Sequence, residues 1–408
     1  MADSQYDVII VGGGIVGLAV GLEITTRFPR LRLLLLEKEA RVGQHQSGHN
    51  SGVIHSGVYY KPGSLKARLC VEGARAMIRF CRDHGVPHKI CGKVIVATHE
   101  DELPRLEELR SRGEANGLTG LQSIGPEQLR EIEPHASGLR ALLVPATGIT
   151  DYAAVCEKYA ELIQTRRGTI LTSTEVTGLR KGSGEVAVET NGPVFSTKYL
   201  INCAGLFSDR ISRMAGQQAE VIIVPFRGEY YDLIPERSSL VRALIYPVPD
   251  PQFPFLGVHF TRRINGSVDA GPNAVLAFRR EGYRRSDFKV NELATSLAFP
   301  GFWRMAAKHW RSGLGEFRRS FSKLAFVRAL QRLVPEVSEG DLVPGGAGVR
   351  AQALRRDGTL LDDFYFVPSE KMLHVLNVPS PAATASLLIA RTVVDTISRN
   401  ASLMHGLV

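Results

Sequence analysis

Gly12, Gly14 and Gly17 stand in the G-x-G-x-x-G spacing, and an acid, Glu37, follows about twenty residues after the last of them. These residue types hold a dinucleotide. The first glycine permits a tight turn, the second lets the backbone approach a pyrophosphate, and the third allows close helix–strand packing. Free N–H groups at the helix start then face phosphate. A carboxylate at Glu37 accepts hydrogen bonds from a ribose 2′-hydroxyl, which fits NAD or FAD and not phosphorylated NADP. Ile15 and Val16, between the glycines, and Lys38, beside the acid, complete this candidate set.

The elements that must position these residues surround them in the right order. A β-rich run at Val8–Val11 meets the glycines, a helical segment follows, and the apolar run Leu31–Leu36 ends on Glu37. Strand, turn, helix and strand make the unit specific where a lone glycine fingerprint is weak. A loop crowded with Gly, Ser and His comes next, over residues 42–60. Gln44, Ser47, His49, Asn50 and Ser51 offer hydrogen bonds there, and Gly48, Gly52 and Gly57 admit close backbone approach. Such a loop carries a ligand or simply faces solvent.

At 408 residues the chain exceeds what one core usually organises, so two intertwined domains are expected. Hydrophobic residues at 44% and charged residues at 22% fit a soluble globular protein. The net charge of +9 suits an anionic ligand, an anionic membrane surface or nucleic acid, and nothing else points to nucleic acid. Five cysteines form no C-x-x-C and no metal-ligand spacing, so reduced thiols and no metal are expected. No uninterrupted apolar run reaches the ~18 residues of a transmembrane helix. Asp3 and Asp7 lie at the N-terminus, which shows neither a secretory signal nor a transit peptide, so a cytoplasmic protein is expected.

Further along, residues 64–84 and 100–116 read as helices around a strand at Gly92–Ala97. Asp151 is a plausible N-cap, Thr169–Val176 reads as a strand, and Pro- and Gly-broken strands from Val221 to Phe278 read as an antiparallel meander. The strings GHNSGVIHSGVYYKPGSLKA, VPFRGEYY, IYPVPD, FPFLGVHF, AGVRAQA and VPSPAAT resemble the FAD-dependent L-2-hydroxyglutarate dehydrogenase/oxidase family, within the glycine-oxidase and D-amino-acid-oxidase-like superfamily. The resemblance implies an α/β fold: a Rossmann-like FAD-binding domain (residues 1–63, 145–218 and 340–408) and an antiparallel-sheet substrate domain (64–144 and 219–339), discontinuous in sequence. It also implies cofactor contacts at Val176, Ala204 and Gly205, at Gly346, Gly348 and Val349, and at Ala382, Ala383 and Thr384. Arg227, Tyr246, His259 and Arg350 fall in the stretches it places around the flavin ring.

Oxidising a 2-hydroxy acid removes a proton from oxygen and a hydride from carbon, the hydride passing to flavin N5. Imidazole suits the base, and an arginine fork suits a substrate carboxylate. His55 and His259 compete for the first role. Arg350 leads for the second, with Arg227 and Tyr246 behind it. Lys66 either adds positive potential or is a solvated helix residue. The resemblance implies oxidation of L-2-hydroxyglutarate to 2-oxoglutarate. An amine or amino-acid oxidase, or a flavin-binding redox sensor without turnover, is the alternative. One dinucleotide fingerprint leaves no NAD site, so a quinone or other acceptor must reoxidise the flavin. Over residues 296–333, aromatic and basic residues alternate at helical spacing. This fits peripheral contact with the inner face of the cell membrane, or a helix packing its aromatic stripe on the domain.

Overall fold

The structure, a computed structural model, describes residues 4–217, 220–250 and 256–399. Residues 253–255 of the FPFLGVHF string, residues 400–408 of the expected cofactor domain and the side chain of Arg311 lie outside the described residues.

The first sheet has a parallel centre. Its order is Thr169–Leu171, Leu33–Leu36, Gln5–Val11, Phe195–Asn202 and Met372–Asn377. Such strands are covered on both faces, which is why they read as unbroken apolar runs such as Leu33–Leu36. Val8 and Ile10 pack toward the helices Ile15–Arg27, Tyr152–Thr165 and Ala382–Ser398, while Ile9 and Val11 pack on the opposite side with Val176 and Val188. The hairpin Val176–Lys181/Val186–Thr190 continues the sheet along the first half of Phe195–Asn202. Asp151 caps its helix, Oδ1 accepting from the N–H of Ala153 at 2.9 Å.

Two strands differ from their expected bounds. The second begins at Leu33 because residues before it turn, the Arg32 N–H donating to Asp7 Oδ2 at 2.9 Å. The run expected over Thr169–Val176 divides, with Ser173 at φ 53° and the N–H groups of Ser173 and Thr174 bound to the carbonyls of Glu39 and Glu37. The break brings the second half of that run back beside the acid.

Among the described residues the second sheet has nine strands. Val221–Leu233 and Leu342–Arg355 form its long antiparallel pair, which places the 342–355 segment here, although it was expected with the cofactor domain. Leu244–Pro247, His259–Arg262 and Val268–Gly271 continue the meander. One pairing departs from the antiparallel expectation: Lys93–Ala97 lies parallel to Leu244–Pro247, because it enters as part of a separate pair with Arg140–Val144. On one face Val94, Val96, Ile245 and Phe260 bury against Phe326 and its helix Lys323–Gln331. On the other, Ile95 and Tyr246 meet Val53, Val58 and Tyr59 from the loop after the second strand. That second face closes the cleft between the sheets.

Candidate active site between the two sheets

Two of the three glycines, Gly12 and Gly17, have no room for a side chain. Gly12 has φ +108°, and a Cβ there would meet the Cys203 carbonyl oxygen at 2.5 Å. A Cβ on Gly17 would lie 2.0 Å from the Gly12 carbonyl oxygen. Gly14 is the helix N-cap, followed by the buried Ile15 and Val16, and the Ile15 N–H donates to Ser47 Oγ at 2.9 Å. Glu37 is 8% exposed. Its Oε2 accepts from the Gly13 N–H at 2.7 Å and its Oε1 from the Glu39 N–H at 2.9 Å, which holds the carboxylate still with lone pairs to spare for ribose hydroxyls. A cradle that only bare backbone fits, ending on a fixed buried carboxylate, suits a dinucleotide such as FAD.

The loop that follows folds back over this turn, Gly43 N–H donating to the Gly13 carbonyl at 2.9 Å. Asn50 is used within the loop, its Nδ2 donating to the Ser47 carbonyl at 2.7 Å and its Oδ1 accepting from Gly52 N–H at 2.8 Å. His49 stacks on Tyr283 with centroids 4.3 Å apart and donates from Nδ1 to the Ala347 carbonyl at 3.1 Å. A Cβ on Gly348 would lie 2.4 Å from the His49 carbonyl oxygen, so loop and strand touch backbone to backbone. Gln44 is exposed, Ser51 half-buried, and Gly346 has open space beside it. Ala204 and Gly205 (φ +51°) turn away from the sheet at Asn202, whose Oδ1 accepts from the Ala204 N–H at 3.1 Å. The side chains of Val176 and Val349 are packed in apolar clusters, so only their backbones could meet a ligand. Ala382 and Ala383 open the helix Ala382–Ser398, and Thr384 Oγ1 accepts from the His55 N–H at 3.0 Å. Thr384 thereby ties the histidine loop to that helix.

His55 and His259 lie close enough together for the charge of one to bear on the other. His55 comes from the loop and His259 from the roof strand His259–Arg262, and the charge of each of Lys93 and Arg350 bears on both. Burial pushes both imidazoles down to about 3, with the neighbouring cations adding to the effect, so both are neutral near pH 7. His259 donates from Nδ1 to the Gly257 carbonyl at 2.8 Å, which leaves the lone pair on Nε2. Its ring lies 3.8 Å from that of Tyr246. His55 Nε2 is 3.5 Å from Ser380 Oγ, and its Nδ1 is buried without a hydrogen-bond partner. Arg350 hydrogen-bonds Tyr230 on the same roof face.

Arg227 is not brought to this cluster. Phe226 pairs with Arg350 and Arg227 with Val349, so the two arginines point to opposite faces of the strands. Its guanidinium is held by Glu229 at 3.0 Å and by the Arg284 carbonyl at 3.0 Å. Lys66 is engaged too, its Nζ donating to Asp362 Oδ1 at 2.9 Å. Lys38 bonds Glu39 and Glu281. Those two acids and His45 have ligand atoms within 4.8 Å of one another, a set that could hold a metal ion, but the Lys38 ammonium is the cation lying among them. Glu281 is held down to about 2, against its own burial, by its bonds to His45 and Lys38.

Sequence reasoning missed Lys93, Tyr59 and Tyr230. A signal existed for the first, since a lysine opens the otherwise apolar strand Lys93–Ala97 and every one of its positions is buried.

The model of the family described as FAD dependent oxidoreductase matches residues 7–396. L-2-hydroxyglutarate dehydrogenase of Indibacter alkaliphilus is 53% identical over 96% of this chain and 98% of its own. The enzyme of that name from Escherichia coli K12 is 46% identical over 96% of this chain and 93% of its own. Among solved structures, an FAD-bound L-alpha-glycerophosphate oxidase from Mycoplasma pneumoniae superposes with a TM-score of 0.80 at 23% identity, covering 97% of this chain and 95% of that one. Glycine oxidase from Geobacillus kaustophilus does so at 0.72 and 19%, with coverages of 97% and 95%. At those identities the two structures speak for the fold.

Proposed function

The chain belongs to the FAD-dependent L-2-hydroxyglutarate dehydrogenase family, and we propose that the cleft between its two larger sheets is where L-2-hydroxyglutarate is oxidised to 2-oxoglutarate. The observation that carries this placement is His55 Nδ1, buried and without a partner in a cleft shared with His259 and Arg350. FAD, when bound, supplies the hydride acceptor. The rest falls to the chain's own residues.

In this reading His55 takes the hydroxyl proton. An Nε2–H directed at Ser380 Oγ leaves Nδ1 as the acceptor, and burial keeps the ring neutral, as a base must be. A low proton affinity in the free site is no obstacle, because the substrate brings two negative charges that raise it. His259, with its tautomer fixed by Gly257 and its plane by Tyr246, offers Nε2 as a second contact to the reacting hydroxyl. Arg350, steadied by Tyr230, pairs with a substrate carboxylate. Gly12, Gly14, Gly17 and Glu37 hold the dinucleotide.

We propose a membrane quinone as the acceptor. The support is the helix Pro300–Phe321, which leaves Trp303, Trp310, Leu314 and Phe321 more than half exposed beside Arg304, Lys308 and Arg318. Among the described residues no helix is long and apolar enough to cross a membrane, so contact would be from the surface.

Anaerobic mixing with L-2-hydroxyglutarate, its D enantiomer, lactate and glycine tests the reading. Flavin bleaching by the L diacid alone is expected. Bleaching by glycine instead would make the protein an amine oxidase.

A further inference from the structure

Six buried side-chain atoms lack a hydrogen-bond partner among the described residues, and three of them, His55 Nδ1, Tyr59 Oη and Lys93 Nζ, belong to this one cleft. Lys93 is 2% exposed. Its ammonium lies 4.3 Å from the Tyr59 ring centroid and 4.8 Å from that of Tyr246. An aromatic cage stabilises a cation, yet it satisfies none of the three N–H donors. A buried donor left unpaired is destabilising, so Lys93 and Tyr59, gathered in one place, invite an acceptor from a bound ligand. An anion fits best, because Lys93 and Arg350 both bear on the same two histidines.

Resting on the placement of the reaction proposed above, we propose that Lys93 and Tyr59 form the subsite for the distal carboxylate of the substrate, while Arg350 holds the carboxylate next to the reacting carbon. The two cations reach the cleft from separate strands of the roof, Lys93–Ala97 and Leu342–Arg355, with Tyr246 and His259 on the strands between them. Two cations that both bear on the histidine pair suit a dicarboxylate. A 2-hydroxy acid with one carboxylate leaves Lys93 and Tyr59 unpaired, and a site built to pair a polar group discriminates strongly against an analogue that lacks it. Burial pushes the Lys93 ammonium down to about 7, so a bound carboxylate also restores its charge.

The test compares L-2-hydroxyglutarate with L-2-hydroxyvalerate, a chain of the same length without the second carboxylate, by anaerobic flavin reduction. Lys93→Met keeps the stem and removes the charge. It is expected to raise the half-saturating concentration of the diacid by roughly 100-fold, to leave its limiting reduction rate within a few-fold, and to leave the monoacid unaffected or better used. Tyr59→Phe removes a hydroxyl alone and should move the diacid about 5-fold in the same direction. Equal losses on both substrates, or an unchanged half-saturation in both variants, would overturn the assignment. If Lys93→Met fails to retain FAD, the Tyr59→Phe comparison decides. A wild-type protein that the diacid does not bleach would instead remove the reading on which the subsite rests.

Discussion

Arg227 and Arg350 stand on adjoining strands one register step apart, and that single step sends them to opposite faces of the roof sheet. Arg350 shares the cleft with His55, His259 and Tyr230. Arg227, 4% exposed, joins Glu229, which Arg285, Asn273 and Ser320 also bind. Two arginines on paired strands therefore have different surroundings, one facing the proposed substrate and one holding the far side of the sheet.

The two substitutions should separate those roles. Arg350→Met is expected to raise the half-saturating concentration of L-2-hydroxyglutarate by roughly 100-fold or more, with FAD retained and the denaturation midpoint little changed. Arg227→Met should leave substrate binding near the wild-type value and cost about 3 kcal/mol of stability, since it strips one partner from a buried ion pair. Titrating flavin bleaching and unfolding both variants in urea checks the pair. The opposite allocation would place the substrate on the other face.

Gly17 offers a test of the nucleotide cradle. Alanine there puts a methyl group 2.0 Å from a backbone carbonyl, which cannot be relieved by a side-chain rotation. Gly17→Ala should emerge largely without flavin, read as the ratio of 450 to 280 nm absorbance. Gly21, one turn further along the same helix, is the control. A Cβ there first meets the tip of Ile163 at 3.0 Å, a flexible neighbour, so Gly21→Ala should keep most of its FAD.

How far such features can be read without coordinates depends on whether the signal is local. Gly12, Gly17 and Glu37 were legible because one short strand–turn–helix unit fixes all three. His55 and His259 were legible as residue types, but their meeting across a cleft joins positions some two hundred residues apart, and that contact has no period to read. The face that Arg227 takes is set by register, and one residue of slip would reverse it. Lys93 was visible as a charge in an apolar strand. That its Nζ has no hydrogen-bond partner among the described residues depends on the two tyrosine rings that surround it, which come from distant segments.

Buried neutral histidines make the fold acid-sensitive in a defined window. His55 and His259 sit near 3 and His374 near 4, all pushed down chiefly by burial, whereas an unfolded histidine titrates at about 6.5. Below pH 6.5 the unfolded chain takes up protons that the folded one refuses, so stability falls as pH falls, by about 1.4 kcal/mol per unit for each group. Asp269 opposes this trend. Its buried carboxyl is raised to about 7, so it favours the fold as pH drops from 7 towards 4, but it is outnumbered by the three histidines. Urea midpoints of the holoenzyme should fall between pH 7.5 and 5.5, and His259→Gln should flatten that slope by about a third to a half. Parallel slopes for wild type and variant would show that His259 is protonated in the folded state.

The helix Pro300–Phe321 resolves the two readings of its aromatic run by dividing it. Phe299, Phe302 and Met305 bury against Ile222, Val224 and Leu354, while Trp303 and Phe321 are 59% and 74% exposed. Trp303 still anchors itself, its Nε1 donating to the Leu297 carbonyl at 2.8 Å, and the Arg285 guanidinium lies over the Phe321 ring, yet both side chains leave most of their surface to solvent. Bound to an anionic surface, Arg304, Lys308 and Arg318 would each add about 1 kcal/mol, screened over about 8 Å at physiological salt. The protein is therefore expected to float with anionic liposomes at low salt and to release at high salt. Trp303→Ser combined with Phe321→Ser should abolish flotation and slow reduction of a membrane quinone several-fold. Bleaching by L-2-hydroxyglutarate in solution should be unchanged, because the exposed stripe lies apart from the cleft residues. If the double variant still reduces membrane quinone at the wild-type rate, electrons leave by another route, and the outer aromatics serve some purpose other than docking.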